Sequence, residues 1–288
     1  MSVRKLSDYD GFKKVLKESK NIVALTGAGV SAESGIPTFR GEGGLWRTYR
    51  ASNLATPGSF LHESCLGLGI LSLPQSCCAH KILAEYEKIC EEQDRNLTVI
   101  TQNVDGLHKR AGSQKVIELH GALHKVKCTK CNVVYDNYDN PICEALRGRG
   151  VADSIGSSIL NKDLPIIERD DLPKCKDCQG LLRPHIVWFG ENLDPKVLLQ
   201  ARESLNTDSN TSNNFNASTF SNRNIFCRLS CSHVCSPWQQ RGKPVAEFNL
   251  NDAPADDTFE FHFPGKCELH YLKLWDYNFI NIYLILMR

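Results

Sequence analysis

The sequence has almost no excess of charge of either sign, since 34 Lys and Arg residues face 33 Asp and Glu residues and the net charge is +1. Without a broad positive field, neither nucleic acid nor an anionic membrane surface is favoured as a partner. Long apolar runs are absent too: the longest near the C-terminus, "FINIYLILM" (279–287), has nine residues, whereas a membrane-spanning helix needs about 20. We therefore predict no nucleic-acid partner and no membrane partner.

A signal segment is lacking as well, because residues 1–20 are polar and have the pattern of an amphipathic helix. The chain nevertheless carries 13 cysteines, an odd number. Because no secretory route is indicated and the number of cysteines is odd, we expect free thiols in a reducing compartment and not a framework of disulfides.

Short β-branched runs recur along the 288 residues, with helical patterns between some of them, such as residues 79–93. Strands that alternate with helices predict an α/β fold with a Rossmann-like, doubly wound parallel sheet. The predicted strands cover residues 21–26, 97–101, 115–119, 244–248 and 259–263.

Two segments differ in composition from the rest of the chain. Residues 120–183 combine paired cysteines, prolines and polar loops, and we predict that they form a small inserted module between 1–119 and 184–288 of the larger domain. Residues 206–240 are atypical of that domain. In 206–224, 14 of 19 residues are Asn, Ser or Thr, and such polar low-complexity sequence predicts a disordered loop.

A glycine-rich turn follows the first long predicted strand. "GAGVSA" (27–32) fits the pattern G-x-G-x-x-G/A, in which glycines let the backbone approach a pyrophosphate and a helix N-terminus favours its charge. The alternative is a tight strand-to-helix turn that needs small residues without any ligand. No Asp or Glu follows about 20 residues on, where an ordinary dinucleotide site would have one for the ribose hydroxyls.

The chain continues with "GIPTFRG" (35–41), which places Arg40 among glycines. A guanidinium can hold a phosphate group by paired hydrogen bonds, so Arg40 is a candidate ligand-binding residue. A surface arginine is the alternative.

Two C-x-x-C units, Cys128/Cys131 and Cys175/Cys178, are separated by 43 residues. Each unit can place two thiolates on one tetrahedral ion, so the four together predict a closed, structural zinc site with no position open for water. Two redox pairs, or four buried cysteines, are the alternatives.

Polar side chains follow two further strands. "TQNVDG" (101–106) places Gln102, Asn103 and Asp105 where a strand ends, and ligands of open α/β sheets bind just beyond such ends. Asx-turn and capping roles are the alternative for these residues. His120 follows the next strand in "ELHG" (118–121), and histidine is suited to proton abstraction near neutral pH, although a structural histidine is the alternative.

Taken together, these motifs resemble the sirtuin family of NAD-dependent protein-lysine deacylases. The resemblance covers roughly residues 10–64, 79–200 and 241–267. It is carried by "GAGVSAESGIPTFRG", "TQNVDGLHKRAG", "ELHG", the two cysteine pairs and "LLRPHIVWFGENLDP". The details "GLLRPHIVWFGENLDP", "VAEFN" and "FHFPGKC" are most similar to the branch of the family that removes succinyl and malonyl groups.

The resemblance implies that NAD lies across the sheet, that residues 120–183 hold one structural Zn²⁺ ion, and that acylated-lysine proteins or peptides are the substrates. His120 would be the general base that takes a proton from a ribose hydroxyl, and the products would be nicotinamide, free lysine and O-acyl-ADP-ribose. Substrate backbone would pair, as an added strand, with Val187, Trp188, Phe189 and Gly190. The implied NAD-binding residues are Gly27, Ala28, Gly29, Val30, Ser31, Ala32, Glu33, Pro37, Thr38, Phe39, Arg40, Trp46, Gln102, Asn103, Val104, Asp105, Asn249, Leu250, Asn251 and Cys267.

The sequence also departs from the family pattern at two places. In the desuccinylase branch a helical Tyr-x-x-Arg pair binds acidic acyl groups, but residues 65–78, where it should fall, contain neither Tyr nor Arg. The apolar strand that should precede "RGKPVAEFN" is replaced by the atypical segment 206–240. We therefore expect a sheet that lacks one central strand and has exposed strand edges at that place.

Family resemblance implies a mitochondrial location, while the absence of an Arg- and Ser-rich transit segment leaves cytosol and nucleus open. The main alternative to a deacylase is a catalytically impaired relative that still binds zinc and ADP-ribose. A zinc-ribbon nucleic-acid binder is disfavoured by the neutral charge and by the lack of a basic patch interleaved with aromatic residues.

Overall fold

The computed structural model describes residues 5–6, 8–32, 34–36, 76, 78–139, 142–146, 168–188, 190–205, 243–249, 260–264 and 282–287. The helices in these ranges are α1 (Tyr9–Glu18), α2 (Ala28–Ala32), α3 (Cys78–Glu92), α4 (Leu107–Ala111) and α5 (Pro195–Leu205). The strands are β1 (Lys5–Leu6), β2 (Asn21–Thr26), β3 (Asn96–Thr101), β4 (Val116–Glu118), β5 (Gly121–Cys128), β6 (Val134–Asp136), β7 (Leu182–Ile186), β8 (Val245–Asn249), β9 (Phe261–Pro264) and β10 (Ile282–Met287).

The predicted strands and the predicted helix are all present, with ends that shift by no more than two residues. They form β2, β3, β4, β8, β9 and α3. The polar start of the chain contains α1, whose N-cap Asp8 accepts a hydrogen bond from the Gly11 N–H at 2.9 Å. The predicted disordered loop at 206–240 lies outside the described residues.

The larger sheet has seven strands in the order β1-β9-β8-β10-β2-β3-β4. Neighbouring strands are parallel except at β10, which is antiparallel to both β2 and β8. This is a Rossmann-like sheet, with one reversed strand. Where we expected a missing central strand, the apolar run near the C-terminus fills the place.

Strand β10 pairs along its whole length with β2, from Ile282 opposite Thr26 to Met287 opposite Asn21. It also pairs with β8 over four residues. A run of apolar and β-branched residues suits a strand that is bordered on both sides. Among the helices in the described part of the chain, none is long and apolar enough to cross a membrane.

One face of this sheet packs against α1 through a cluster of phenylalanines. The Phe12 ring lies edge-on to the rings of Phe248, Phe261 and Phe263, with centroids 5.5, 5.6 and 5.4 Å away. All four side chains are fully buried, and edge-to-face contacts of this kind add to the free energy gained from apolar burial. The cluster fixes β8 and β9 beside the centre of the sheet.

A second sheet has three antiparallel strands in the order β6-β5-β7. It lies within the segment that carries the cysteine pairs, although β7 runs past residue 183. The boundaries 1–119, 120–183 and 184–288 stay a prediction. At one end of this sheet Gly121 pairs with Ile186, and at the other end Cys128 pairs with Leu182.

The reversed strand gives a first testable expectation. Leu284 lies between Ala24 of β2 and Ala246 of β8, and proline there removes a main-chain N–H that a central strand needs. We expect Leu284→Pro to lower the free energy of unfolding by about 1–3 kcal/mol, measured by urea denaturation. Leu284→Val keeps the N–H and serves as the control. Equal stability of the two variants would contradict the pairing of β10.

Candidate active site

The carboxyl ends of three neighbouring strands of the larger sheet lie side by side, and we call this end of the sheet its carboxyl edge. Thr26 ends β2, Thr101 ends β3 and Glu118 ends β4, and these residues are direct partners in the parallel ladder. The glycine-rich turn, the polar segment 102–105 and His120 each follow one of these ends within two residues. The sheet therefore brings together three motifs that are far apart in sequence.

Two consecutive hydrogen bonds connect His120 to the glycine-rich turn. His120 Nδ1 donates to the Gln102 carbonyl oxygen at 2.8 Å, and the Gln102 N–H donates to the Thr26 carbonyl oxygen at 3.0 Å. Thr26 directly precedes Gly27. The imidazole and the turn thus belong to one edge of the sheet.

The contact with Gln102 also sets the tautomer of His120. A carbonyl oxygen can only accept, so Nδ1 carries the proton and Nε2 carries the lone pair. Burial lowers the pKa of His120 from its ordinary value of 6.5, with the hydrogen bond to Gln102 opposing this effect. His120 is therefore a neutral imidazole at neutral pH, with Nε2 able to accept a proton.

The residue after His120 must be glycine for reasons of space. Gly121 has a φ of +79°, and a Cβ atom on it would lie 2.0 Å from the His185 carbonyl oxygen. The close approach of β5 to β7 at this point depends on the missing side chain. This close approach of the two strands fixes the backbone next to His120.

Ser31 joins the glycine-rich turn to the segment after β3. The Ser31 hydroxyl donates to Asp105 Oδ2 at 2.7 Å and accepts from Asn103 Nδ2 at 3.0 Å. Asn103 Nδ2 also donates to the Gly27 carbonyl oxygen at 3.0 Å. Asp105 Oδ1 accepts from the Leu107 N–H at 2.9 Å, so the local capping role is present beside the contact with Ser31.

Two buried histidines beneath this network were not among the predicted site residues. His80 Nε2 lies 3.4 Å from Ser31 Oγ, and His108 Nε2 lies 3.0 Å from Thr26 Oγ1. Their rings pack edge to face, with centroids 4.6 Å apart. Burial lowers the pKa of His80 to about 4, against the attraction of Asp105, and that of His108 to about 3. Both rings are neutral supports at neutral pH.

A signal for His80 exists in the sequence. It lies one helical turn before Leu83 and Ala84, on the face of α3 that is buried. A histidine on an apolar helix face that meets the sheet predicts a buried hydrogen bond. The sequence does not reveal that Ser31 is the partner, because the two residues come from different elements.

The predicted substrate segment is attached directly to His120. The Val187 N–H donates to the His120 carbonyl oxygen at 2.9 Å. Trp188 is buried, and Gly190 is exposed with a φ of +89°. Arg183 and Glu191 hold this segment from either side; sequence reasoning did not single them out.

Several predicted cofactor residues can be placed only in part. Ala28, Gly29, Val30 and Ala32 lie in α2, and the Val104 carbonyl oxygen accepts from the Leu123 N–H at 2.8 Å. Asn249 ends β8, where only its backbone is described. The remaining predicted residues lie outside the described ranges: Glu33, Pro37, Thr38, Phe39, Arg40, Trp46, Phe189, Leu250, Asn251 and Cys267.

The four predicted metal ligands form one cluster. The Sγ atoms of Cys128, Cys131, Cys175 and Cys178 all lie within 4.8 Å of one another. The Cys128–Cys178 and Cys131–Cys175 sulfur pairs are 3.4 and 3.7 Å apart. Four sulfurs around one zinc ion at about 2.3 Å lie about 3.8 Å from one another. The cluster therefore has the ligand type, number and spacing for one zinc ion.

The two cysteine pairs have the same local geometry. The first cysteine of each pair donates its N–H to a carbonyl oxygen five residues on, Val133 for Cys128 and Gly180 for Cys175. Each pair is followed by a residue with positive φ, Asn132 (+60°) or Gln179 (+57°). Two matching turns thus present their sulfurs to a common centre.

Main-chain groups also favour the thiolate form. Burial opposes ionisation of the Cys128 thiol, but hydrogen bonds from the N–H groups of Cys131 and Lys130 and from the thiols of Cys131 and Cys178 lower its pKa to about 6. A main-chain N–H also favours the Cys131 thiolate, but the contacts among the sulfurs raise the pKa of Cys131, so without a metal ion the Cys128 thiol ionises first. A Cβ atom on Gly180 would lie 2.9 Å from Cys128 Sγ, so glycine leaves room for the cluster. Only a thiolate can ligate zinc, and these features therefore suit a metal site.

The sequence model of the Sir2 family matches residues 27–210. The chain belongs to the Sir2 family. The match begins at the first glycine of the turn and includes His120 and all four clustered cysteines.

Curated relatives of this Sir2 protein match most of its length. An NAD-dependent protein deacylase of Daphnia pulex is 45% identical, with 91% of this chain and 93% of the relative covered. The mitochondrial NAD-dependent protein deacylase sirtuin-5 of Canis lupus familiaris is 39% identical, with 92% and 84% covered.

Solved Sir2 structures share the fold. A crystal structure of a Sir2 homologue bound to NAD has a TM-score of 0.65 and 32% identity, and covers 91% of this chain and 90% of its own. A Sir2 variant with a deacetylated p53 peptide and 3′-O-acetyl ADP-ribose has a TM-score of 0.61 and 29% identity, with 88% and 92% covered.

Proposed function

We propose that the edge formed by β2, β3 and β4 is the site of an NAD-dependent protein-lysine deacylase, with His120 as its general base. The enzyme class follows from membership of the Sir2 family. The observation that carries the assignment of the site is the pair of hydrogen bonds that runs from His120 through Gln102 to Thr26, directly before the glycine-rich turn.

The donor set at this edge fits NAD. The turn at Gly27 lacks side chains that would block a diphosphate, while Asn103 Oδ1 and the remaining lone pairs of the Asp105 carboxylate can accept hydrogen bonds from a carboxamide and from ribose hydroxyls. Ser31 fixes both of the latter residues. Gly27 to Ala32, Gln102, Asn103 and Asp105 would therefore hold the cofactor.

NAD supplies the reaction with an electrophilic ribose carbon and with nicotinamide as the leaving group. His120 takes a proton from a hydroxyl group at Nε2, because Nδ1–H is held by the Gln102 carbonyl. The same carbonyl stabilises the imidazolium that results. One water molecule is consumed together with NAD and the acylated lysine, and the products are nicotinamide, the free lysine and O-acyl-ADP-ribose.

The substrates we propose are proteins with acylated lysines, held through main-chain pairing beside His120. Relatives named mitochondrial deacylases support a mitochondrial location. The sequence is most similar to the branch that removes acidic acyl groups, so we propose succinyl- and malonyl-lysine as substrates. Residues 65–78 contain no Tyr or Arg to bind an acidic acyl group. Acetyl-lysine is therefore the alternative substrate to compare with them.

The test is release of nicotinamide from NAD in the presence of a peptide that carries one succinyl-, malonyl- or acetyl-lysine, with NAD-free and peptide-free samples as controls. We expect release only when both NAD and an acylated peptide are present. A folded, zinc-loaded chain that binds ADP-ribose but releases no nicotinamide would establish the impaired relative instead.

The pH dependence gives a further expectation. His120 must be neutral to act as a base, and burial lowers its pKa below the ordinary 6.5. Activity is therefore retained as pH falls to 6.5 and is lost only at more acidic pH. The measurement is kcat/KM for an acetyl-lysine peptide, whose acyl group does not titrate. An acidic limb with its midpoint above 6.5 would contradict the assignment.

A further inference from the structure

Arg183 and Glu191 form a two-pronged ion pair across the predicted substrate segment. Arg183 Nη1 donates to Glu191 Oε1 at 2.6 Å, and Nη2 donates to Oε2 at 2.8 Å. The guanidinium also lies over the Trp188 ring, 3.6 Å from its centroid. Parallel donation of this kind fixes geometry as well as contributing energy.

The pair holds the backbone between β7 and α5. Arg183 Nη2 donates to the Ile186 carbonyl oxygen at 2.9 Å, and Glu191 Oε2 accepts from the Trp188 N–H at 2.9 Å. The Glu191 N–H donates back to the Trp188 carbonyl oxygen at 2.9 Å. Both main-chain groups of Trp188 are therefore already engaged within the protein.

The same segment meets His120 on its other side. The Val187 N–H donates a hydrogen bond to the His120 carbonyl oxygen. In the described part of the chain, the Val187 carbonyl and the main-chain groups of Gly190 have no protein hydrogen-bond partner. A Cβ atom at Gly190 would have no neighbour within 4 Å, so the backbone there is open to approach.

We propose that Arg183 and Glu191 are positioning residues for the acyl-lysine substrate. They hold Trp188 inward, so that the Val187 carbonyl and Gly190 are left to pair with the substrate backbone at a fixed place beside His120. The inference rests on the proposed function of this site. An ion pair that only stabilised the fold would affect unfolding without affecting peptide binding.

The effect on the Trp188 N–H separates these two roles. The side chains of Arg183 and Glu191 are 17% and 28% exposed, and a two-pronged pair that is mostly buried contributes to folding stability in either case. The Trp188 N–H is different, because removal of Glu191 leaves this donor without its partner beside a buried ring. Local rearrangement of residues 187–190 is the expected consequence.

The experiment measures peptide binding and turnover for Glu191→Ala, Glu191→Gln and Arg183→Lys. Binding is followed by polarisation of a fluorescein-labelled peptide with one succinyl- or acetyl-lysine, in the absence of NAD. Turnover gives KM for the same peptides and for NAD. Glu85→Gln is the matched control, since Glu85 forms an exposed ion pair with Lys88 on α3, away from the site.

We expect Glu191→Ala to raise Kd and KM for the peptide about tenfold, with KM for NAD and kcat changed less than about threefold. Glu191→Gln keeps an acceptor for the Trp188 N–H and should recover most of this loss. Arg183→Lys should fall between the two, because an ammonium lacks the planar fork that holds both carboxylate oxygens and the Ile186 carbonyl while it stacks on the Trp188 ring. Glu85→Gln should match the unsubstituted chain.

Unchanged peptide binding in Glu191→Ala, with only a lower unfolding temperature, would overturn the proposal. So would failure of both conservative variants to fold, which would assign the pair to stability. Absence of nicotinamide release from the unsubstituted chain would overturn the proposed function instead. In that case the polarisation measurement still decides whether the pair positions a bound peptide.

Discussion

Replacement of His120 by alanine is expected to lower kcat by about 100- to 10,000-fold, the range that general-base catalysis contributes. The expectation follows from the tautomer, because the Gln102 carbonyl holds Nδ1–H and leaves Nε2 as the proton acceptor. Alanine removes the base while the main-chain contact from Val187 to residue 120 remains. Binding of NAD and of the peptide should therefore change much less than turnover.

The control for this experiment is His185→Ala. His185 lies on the neighbouring strand β7, and its carbonyl group, not its ring, faces Gly121. The measurement is the steady-state rate at which deacylated peptide forms, together with the unfolding temperature of each variant. Retention of more than a tenth of kcat by His120→Ala, with the fold intact, would remove His120 from the catalytic role.

Loss of one clustered cysteine is expected to have the second large effect. Structural zinc contributes about 10–16 kcal/mol of apparent binding free energy to small metal-dependent folds. Cys175→Ser removes a buried ligand from the four-sulfur cluster. We expect zinc content to fall from one ion per chain to well below one, and the unfolding temperature to fall with it.

The effect should extend to catalysis because β5 and β7 connect the cluster with the proposed active site. Cys128 lies at one end of this strand pair. At the other end, β5 begins directly after His120 and β7 ends directly before Val187. Release of zinc should therefore disturb the backbone on which the base and the substrate segment depend. Deacylation by Cys175→Ser should be reduced at least tenfold if these strands loosen.

Cys143→Ser provides the matched control in the same module. Cys143 packs against the apolar residues near the cluster but is not one of the four clustered sulfurs. We expect this variant to retain one zinc ion and full activity. Zinc is measured by atomic emission on the purified chain. Equal zinc content in Cys175→Ser and Cys143→Ser would exclude the four-thiolate site.

The parts of this fold that depend on local pattern could be predicted from the sequence. Strands such as β2 and β3 are short runs rich in apolar and β-branched residues, and each C-x-x-C unit brings two cysteines together within one turn. His120 could be proposed because it follows a strand whose end lies beside the others. These predictions need only the neighbours of each residue along the chain and the general rule that parallel strands end at one edge.

The placement of β10 could not be predicted in this way. Its pairing with β2 joins opposite ends of the chain, and nothing local to residues 282–287 specifies which strands they border. The run was interpreted only as too short for a membrane. Its antiparallel direction is a property of the whole sheet, where an apolar strand was needed between β2 and β8 and this segment supplied it.

Contacts between side chains that are far apart in the sequence could not be predicted either. His80 supports Ser31 from α3, and Arg183 meets Glu191 across a turn whose shape depends on Trp188. In both cases the residue type was visible but its partner was not. Arg183 and Glu191 are eight positions apart in the sequence, and they can be recognised as an ion pair only when the fold of the backbone between them is known.

The reversed direction of β10 decides which of its two ends lies beside the proposed active site. A parallel strand in this place would bring its last residues, and the loop after them, to the catalytic edge. Instead the first residue of β10, Ile282, lies there beside Thr26 and Phe248, while Met287 lies at the opposite edge beside Asn21. Residues inserted directly before Ile282 would therefore be attached at the end of the sheet where we propose the active site, whereas a fluorophore or purification tag joined after Met287 would be attached at the opposite end.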